Sequence, residues 1–381
     1  MSKIDIGIIG CGKISDIYIQ NLQKNIDINI LGCASLNFEE TKATTSKYNI
    51  PLSLTVDEML NNEKISAILN LTIPAAHYEI SKKSLEAGKH VYSEKPLSIN
   101  ISQAKELLQL AKEKNLLLGC APDTFFGGRW QTVKKLINDN VIGRPTAIHA
   151  FVGTHGTERH HPNPDFYYKV GGGPMLDLGP YYLTMMVFLL GPISKVCGIS
   201  NKSSNTRKIE NGPRNGELID VEVDTHCQGL LQFKSGMVGS IIMSFDVWDS
   251  ETPRIEIFGE EGVISIPDPD PVFGANIFEG DVFYRKIENS RWSHQPRPKG
   301  RDDWIKAENN FSYNENYRGI GFIEMIDCIK SKRIPRANSN LAFHVLEVIE
   351  SLEKSSNESL YMDILSEPHI PEILPENYME F

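Results

Sequence analysis

The first 120 residues alternate short apolar runs with amphipathic stretches, and this alternation constrains the fold more than any other feature. The apolar runs have the length of buried strands and lie at residues 4–9, 28–34, 65–71, 90–92 and 116–120. Stretches with helical periodicity separate them, at residues 14–23, 39–48, 76–87 and 101–114. Strands that alternate with helices predict a parallel sheet covered on both faces, because parallel strands need crossover connections.

The pattern changes after residue 123, where predicted strands follow one another without helices. They lie at residues 145–152, 221–223, 229–233, 238–245 and 254–258. Consecutive strands separated by glycine turns predict an α+β arrangement with an antiparallel sheet. We therefore predict an α/β domain over residues 1–123 and an α+β domain over residues 124–381. A last helix near 340–355 is predicted to pack back near the first domain, and residues 268–302 are predicted to form a long surface loop.

Composition argues against several classes of protein. The chain of 381 residues has a formal net charge of −10, which disfavours nucleic acid as a partner because phosphate binding needs a basic surface. The longest apolar stretches are too short to span a bilayer, so no membrane association is predicted. Six cysteines without CxxC spacing indicate reduced thiols, no metal site and a cytoplasmic protein.

The first predicted strand runs directly into a glycine motif, residues 10–15, of sequence GCGKIS. Gly10 allows a tight turn, and Gly12 lets the backbone approach a pyrophosphate that faces the amides of the next helix. The motif predicts a Rossmann domain that binds a dinucleotide through Gly10, Gly12, Lys13 and Ile14, the alternative being a strand–helix turn without a ligand. The second strand ends at Ser35, which is predicted to contact the cofactor, without an acidic residue there and without an arginine after it. We therefore favour NAD over NADP, which is not excluded.

Three further motifs resemble those of the Gfo/Idh/MocA family, named for glucose–fructose oxidoreductase, inositol dehydrogenase and a rhizopine-catabolism protein. They are TIPAAH at residues 72–77, GKHVYSEKP at 88–96 and GGGPMLDLGPY at 171–181. The resemblance implies a Rossmann domain followed by a domain with a large, mostly antiparallel open sheet, often used for oligomer contacts. A homo-oligomer, a dimer or a tetramer, is therefore expected. The resemblance also implies cofactor contacts from the residues Thr72, Pro74, His77, Glu94 and Lys95.

Three residues are the predicted catalytic groups. Lys95 follows a buried strand at the carboxyl edge of the parallel sheet, where α/β proteins bind ligands, and its ammonium can hydrogen-bond a substrate hydroxyl. Asp177 and Tyr181 are four residues apart on a predicted helix that begins near Leu176, so they share one face of it. Most relatives carry histidine at the position of Tyr181, and a phenol needs a nearby cation to act as a base.

Each of these residues has a second interpretation. Lys95 could be an ordinary surface lysine, and Asp177 could cap a helix. Tyr181 could be a packing aromatic, with Tyr182 as a competitor for the proton-transfer role.

Other residues are weaker candidates for the cleft. Asp123, His155 and His161 are predicted to contact substrate. His160 joins the last two in a loop whose clustered histidines could bind a metal, but no carboxylate or cysteine partner has ligand spacing. Six aromatic residues provide either a floor for a sugar ring or core packing: Phe125, Phe126, Trp130, Phe166, Tyr167 and Tyr168.

Together these features predict an NAD(P)-dependent oxidoreductase that transfers hydride between a nicotinamide and a secondary hydroxyl or ketone. The predicted substrate is a sugar, polyol or glycoside. One alternative is a lyase or hydrolase that uses tightly bound NAD for transient oxidation and cleaves glycosides by elimination. A second alternative is a non-catalytic nicotinamide sensor, which would not need both Lys95 and Asp177.

Overall fold

The computed structural model describes residues 3–161, 163–267, 278–287, 303–313 and 315–378. Within these ranges the first sheet has six strands, all parallel, in the order β3-β2-β1-β4-β5-β6. The strands are β1 (Ile4–Ile9), β2 (Ile28–Ala34), β3 (Leu52–Ser53), β4 (Ala67–Asn70), β5 (His90–Ser93) and β6 (Leu118–Cys120). This order, with the chain starting in the middle of the sheet, confirms the predicted Rossmann fold.

Five helices connect these strands and cover the sheet. They are α1 (Ser15–Leu22), α2 (Phe38–Tyr48), α3 (Val56–Asn61), α4 (Pro74–Glu86) and α5 (Ile101–Glu113). The predicted ends of the four longer helices differ from these by one or two residues. Strand β3 was not predicted, because two residues are too few to show a periodicity. A capping box between Thr55 and Glu58 fixes the start of α3.

The second sheet is large and open, and among its described strands only β7 and β12 pair in parallel. Its order is β16-β15-β14-β13-β7-β12-β11-β8-β17, and β9 and β10 form a separate hairpin. These strands are β7 (Pro145–Gly153), β8 (Ile193–Asn201), β9 (Thr206–Lys208), β10 (Leu218–Asp220), β11 (His226–Phe233), β12 (Val238–Ser244), β13 (Ile255–Gly259), β14 (Gly262–Ile266), β15 (Phe283–Lys286), β16 (Ile305–Lys306) and β17 (Met362–Asp363). The mostly antiparallel pairing confirms the predicted fold class.

Helices cover one face of the second sheet and join it to the first. They are α6 (Gly128–Asn138), α7 (Pro174–Asp177), α8 (Gly179–Leu190), α9 (Ile320–Ser331) and α10 (Ser339–Glu358). The last of them, α10, contacts β8 and α8 on one side and α5 on the other. Its Leu346 shares a buried cluster with Leu107 and Leu118 of the Rossmann part. The predicted domain boundary after residue 123 stays a prediction.

Three local predictions differ from the structure. The strand predicted at residues 221–223 is wrong, since the strand there is β10 at Leu218–Asp220. The single helix predicted after the glycine run is two helices, α7 and α8, which meet at Leu178. Within the loop predicted at 268–302, residues 283–286 form strand β15, and residues 268–277 and 288–302 lie outside the described ranges. No described helix is both long and apolar enough to cross a membrane.

Candidate active site

The turn between β1 and α1 has the shape of a phosphate-binding loop. Gly10 has a φ of +109°, and a Cβ atom there would lie 2.5 Å from the carbonyl carbon of Leu71. A Cβ atom on Gly12 would meet nothing within 4 Å, so the backbone is open on that side. Ser15, in place of the usual third glycine, is buried and donates a hydrogen bond of 2.7 Å to the Gly12 carbonyl. The turn therefore fits a dinucleotide's pyrophosphate beside the start of α1.

The other candidate cofactor residues near this turn are Lys13, Ile14 and Ser35. Lys13 is exposed, and Ile14 is half-buried beside it. The Ser35 hydroxyl donates 2.7 Å to the Asn37 carbonyl, and the side chain of Leu36 is fully exposed. The end of β2 thus presents no carboxylate to a ribose and no cation to a 2′-phosphate.

A second loop at the edge of the first sheet, residues 72–77, is held by hydrogen bonds. The amide of Asn70 donates 3.0 Å to the His77 carbonyl, and its oxygen accepts 2.7 Å from the Thr72 hydroxyl. The His77 ring is buried between the carbonyls of Thr72 and Pro96, at 2.8 and 2.7 Å. Pro74 is half-buried at the start of α4. His77 therefore joins this loop to the Lys95–Pro96 turn, while its ring nitrogens are engaged by backbone.

Lys95 and Asp177 come together although 81 residues separate them in the sequence. The Lys95 ammonium donates 2.9 Å to the Asp177 carboxylate and 2.6 Å to the Asp177 backbone carbonyl. The peptide bond between Lys95 and Pro96 is cis. Exposed fractions of 13% for Lys95 and 24% for Asp177 leave the pair accessible from one side.

Tyr181 completes the cluster, because its ring centroid lies 4.9 Å from the Lys95 ammonium. The prediction that Asp177 and Tyr181 share one turn of a single helix is wrong, since Asp177 ends α7 and Tyr181 lies in the first turn of α8. The chain turns at Leu178, and both residues still face Lys95. Tyr182 is 4% exposed and belongs to the core, whereas Tyr181 is half-buried.

Charge in the cluster keeps Lys95 protonated. Burial alone lowers the pKa of the Lys95 ammonium, but the carboxylate of Asp177 and the phenol of Tyr181 outweigh it and raise the pKa above the ordinary value. Lys95 therefore acts as a fixed cation and hydrogen-bond donor near neutral pH, not as a base.

Arg318 is a second buried cation next to the cluster, which the sequence analysis did not identify. Burial lowers the pKa of the Arg318 guanidinium, but interactions with the Tyr181, Glu94 and Asp123 side chains outweigh burial and raise the pKa above its ordinary value. Its guanidinium also donates 3.0 Å to the Asn316 side chain. Arg318 lies on no recognisable motif, so only the folded structure reveals its position beside Tyr181.

Two predicted site residues have their carboxylates occupied within the protein. Glu94 is buried and accepts hydrogen bonds from the Tyr18 hydroxyl at 2.6 Å and from its neighbour's backbone amide at 2.9 Å. Asp123 is 2% exposed and accepts from the amides of Gly319 and Gly321, at 2.8 and 3.2 Å. Asp123 thus caps the start of α9 and is not open to the Lys95 pocket.

The buried Asp123 carboxyl makes a testable prediction about stability. Burial raises its pKa from the ordinary value of 3.8 to about 6, although Arg318 and the two glycine amides oppose the rise. The folded protein therefore binds a proton that the unfolded chain releases between those values, and stability falls as pH rises from 4 to 7. At 1.4 kcal/mol for each pKa unit, the loss is about 3 kcal/mol.

In the Asp123→Asn variant this contribution is absent. Between pH 4 and pH 7, the free energy of unfolding of the wild type should fall by about 3 kcal/mol more than that of the variant, as measured by urea titration. Parallel pH dependence of the two proteins would contradict the assignment.

The two histidines predicted to contact substrate lie in different surroundings. His155 stacks on Trp248, with ring centroids 3.2 Å apart. The charged groups that act on its pKa are those of the Arg207 network and Arg159, and they do not include Lys95 or Asp177. His161 packs edge-on against Phe166 and Tyr167, at 5.5 and 5.6 Å. His160 is exposed, and among the described residues no cluster of histidine, cysteine or acidic groups has the arrangement of a metal site.

His161 and Tyr167 lie close to the Lys95 pair, as their electrostatics show. Burial lowers the pKa of His161, and the charge of Lys13 adds to that while Asp177 opposes it. Burial and the Asp177 carboxylate raise the pKa of Tyr167, with Lys95 opposing them. Charges of both the dinucleotide turn and the Lys95 pair therefore act on this aromatic group. The other aromatic candidates are core residues: Phe125, Phe126, Trp130 and Tyr168.

Comparisons with known proteins agree with this arrangement. A sequence model of an oxidoreductase family with an NAD-binding Rossmann fold matches residues 4–121, and a model of the GFO/IDH/MocA C-terminal domain matches residues 130–265. The fold and these matches define an NAD-binding oxidoreductase, and they confirm the predicted enzyme class and cofactor. The chain belongs to the Gfo/Idh/MocA family.

Several relatives act on polyols or sugars according to their names. A myo-inositol 2-dehydrogenase of Thermotoga maritima is 25% identical over 297 residues, which cover 76% of this chain and 80% of that protein. A levoglucosan dehydrogenase in complex with NADH and L-sorbose superposes with a TM-score of 0.80 at 17% identity, over 96% of this chain and all of the other. An aldose–aldose oxidoreductase of Caulobacter crescentus complexed with glycerol has a TM-score of 0.76 at 19% identity, covering 95% and 99%.

Proposed function

We propose that the protein oxidises a secondary hydroxyl of a sugar, polyol or glycoside, or reduces the corresponding ketone, with NAD. The observation that carries the proposal is the contact of the Lys95 ammonium with both Asp177 and the Tyr181 ring, at the carboxyl edge of the NAD-binding sheet. Ligands of open α/β sheets bind at that edge. The inositol, levoglucosan and aldose substrates named for relatives support the substrate class.

Lys95, Tyr181 and Asp177 have different roles in removing the proton of the substrate hydroxyl. A bound nicotinamide supplies the hydride acceptor. The Lys95 ammonium donates a hydrogen bond to the reacting hydroxyl and stabilises the negative charge that develops on its oxygen. In its deprotonated form, which the adjacent cations Lys95 and Arg318 stabilise, the Tyr181 side chain takes the hydroxyl proton. Asp177 holds Lys95 in place and orients a second substrate hydroxyl.

Replacing Tyr181 with phenylalanine tests its share of the proton transfer. The Tyr181→Phe variant should lose about 10²-fold in kcat while its NADH affinity stays unchanged, because only the phenol oxygen is removed. The matched control is Tyr182→Phe, whose hydroxyl lies in the core and should have little effect on kcat. Equal losses in both variants would contradict the assignment of the role to Tyr181.

A wall of aromatic side chains, formed by His161, Phe166 and Tyr167, supports a carbohydrate as the substrate. Phe166 is 49% exposed, and its ring lies 4.0 Å from that of Tyr167. The negative face of an aromatic ring attracts the C–H hydrogens of a sugar ring. The charge of Asp177 acts to raise the pKa of both His161 and Tyr167, which supports a position of this wall beside the same pocket.

Truncation of the wall should weaken substrate binding and spare the chemistry. We expect Phe166→Ala to raise KM by about three- to tenfold with kcat nearly unchanged, which is the size of an aromatic contact. Phe38→Ala removes a similarly exposed ring on α2 and serves as the control. A kcat loss with unchanged KM would contradict the stacking role.

The substrate class is tested by a panel of sugars, inositols and glycosides, incubated with NAD⁺ or NADP⁺. Net formation of reduced nucleotide with a polyol or sugar is the expected result. Glycoside cleavage without net reduction would instead identify the redox-cycling lyase or hydrolase. Binding of nucleotide without turnover of any panel member would favour the non-catalytic sensor.

We also propose that the open sheet pairs with a second copy of the chain, as a dimer or tetramer. Apolar side chains line its uncovered face, with exposed fractions of 70% for Ile199, 56% for Leu230 and 57% for Val238. Exposed apolar patches of this kind mark protein contacts. Light scattering coupled to size exclusion should give two or four times the chain mass, and a monomer would refute this.

The six free thiols support a reducing, cytoplasmic location.

A further inference from the structure

Two cysteines lie together at the dinucleotide turn and have no part in the proposed chemistry. Cys11 occupies the turn itself, and Cys33 is in β2, paired with Ile8 of β1. The Cys11 sulfur lies 3.7 Å from the carbonyl oxygen of Ala34, the residue that follows Cys33. The Cys11 side chain therefore lies against the end of β2, and it packs on the buried cluster that contains the Cys33 side chain.

The two thiols differ in exposure and in charge. Cys11 is half-buried, whereas Cys33 is fully buried. Interaction with the Cys33 thiol lowers the pKa of Cys11 to about 7, and the Thr44 hydroxyl adds to this against the opposing effect of burial. The same contact raises the pKa of Cys33. Cys11 is thus the thiol that ionises first and the one that solvent reaches.

A buried hydroxyl near Cys11 gives a second indication. Thr41 is fully buried on α2, and among the described residues its hydroxyl has no hydrogen-bond partner. The Cys11 sulfur is a group that it faces. A thiolate at Cys11 would accept that hydrogen bond, and donors grouped around one cysteine are typical of a reactive thiol.

We propose that Cys11 is a site of reversible oxidation by hydroperoxides, which yields a Cys11–Cys33 disulfide and opposes dinucleotide binding. The Cys11 thiolate attacks a peroxide oxygen; an S–O bond forms, the O–O bond breaks, and the leaving oxygen departs as water after taking a proton. The Cys33 sulfur then attacks the sulfenic acid; an S–S bond forms, the S–O bond breaks, and the Cys33 proton leaves in a second water. Two thiols are oxidised and one hydrogen peroxide is reduced to two waters.

The position of the disulfide explains its effect on the cofactor. The Cys11 backbone lies between Gly10 and Gly12, in the turn that faces the pyrophosphate. A covalent bond to Cys33 would tie this turn to β2 and prevent its adjustment to the phosphates. Coupling is reciprocal at equilibrium, so bound NADH must destabilise the disulfide relative to the two thiols by the same factor.

The test is to treat the full chain with hydrogen peroxide, with and without NADH, and to map its cysteine peptides by mass spectrometry. We expect a linked pair of peptides containing Cys11 and Cys33, a loss of NADH affinity of about tenfold or more, and recovery with dithiothreitol. NADH present during oxidation should slow the linkage. The mapping tests the thiol chemistry separately from the placement of the dinucleotide.

Variants separate the two steps. Cys33→Ala should stop at a Cys11 sulfenic acid that dimedone traps, and Cys11→Ser should give no linkage. Cys197→Ser, which changes a half-buried cysteine of β8, should behave as the wild type. Unlinked Cys11 and Cys33 while Cys197 is oxidised would overturn the proposal. So would a linked protein that binds NADH as tightly as the reduced one.

Discussion

The Lys95→Met variant should lose about 10³–10⁴-fold in kcat while it still binds NADH. Methionine keeps much of the side-chain volume but removes the charge that contacts Asp177 and lies over Tyr181. The loss combines the missing donor to the reacting hydroxyl with an unneutralised carboxylate, and general acid–base groups contribute up to about 10⁴-fold. Steady-state kinetics on the best substrate of the panel gives kcat, and nucleotide fluorescence gives the NADH affinity.

The matched control is Lys114→Met, since this lysine is exposed at the C-terminal end of α5. Its kcat should equal that of the wild type. A Lys95→Met enzyme with more than about a tenth of wild-type kcat would contradict a catalytic role, because the remaining effect would be too small for lost acid–base chemistry.

The Arg207→Met variant should lose about 3–5 kcal/mol in the free energy of unfolding. Arg207, on β9, is 9% exposed and pairs with Glu158 at 3.3 Å and with Asp246. The Tyr168 hydroxyl also donates to Glu158. Removing the guanidinium leaves the buried Glu158 and the half-buried Asp246 without their cation, and an uncompensated buried charge is far more costly than a lost surface contact.

An exposed ion pair provides the control for that variant. Arg214 bonds to Asp165 with side-chain exposures of 31% and 40%, so Arg214→Met should cost less than about 1 kcal/mol. Urea unfolding of both variants gives the comparison. Because Glu158 belongs to the loop that carries His161, Arg207→Met should also raise KM. Equal stability of the two variants would contradict the importance of this network.

Local motifs predicted the parts of the site that a short stretch of chain builds by itself. The GCGKIS turn follows from Gly10 and Gly12, whose backbone requirements are visible in the sequence. The Lys95 and Asp177 motifs could be placed at the cleft because each follows a recognisable strand or glycine run. Their contact at 2.9 Å needed the structure, since the two segments meet only through tertiary packing.

The errors have physical causes as well. Arg318 could not be predicted, because an arginine before a short apolar stretch resembles any surface residue until the chain folds over Tyr181. The helix break at Leu178 arises since Pro180 has no N–H to continue the hydrogen bonding of α7. Asp123 was expected in the cleft from its place after β6, but the amides of Gly319 and Gly321 hold it inside.

The most direct test is a crystal structure of Lys95→Met with NAD⁺ and the substrate found by the panel. We expect the carbon that bears the reacting hydroxyl to lie within about 3.5 Å of the nicotinamide C4, with this hydroxyl between residues 95 and 181. A substrate bound with that hydroxyl away from both residues, or a nicotinamide directed away from Asp177, would contradict it.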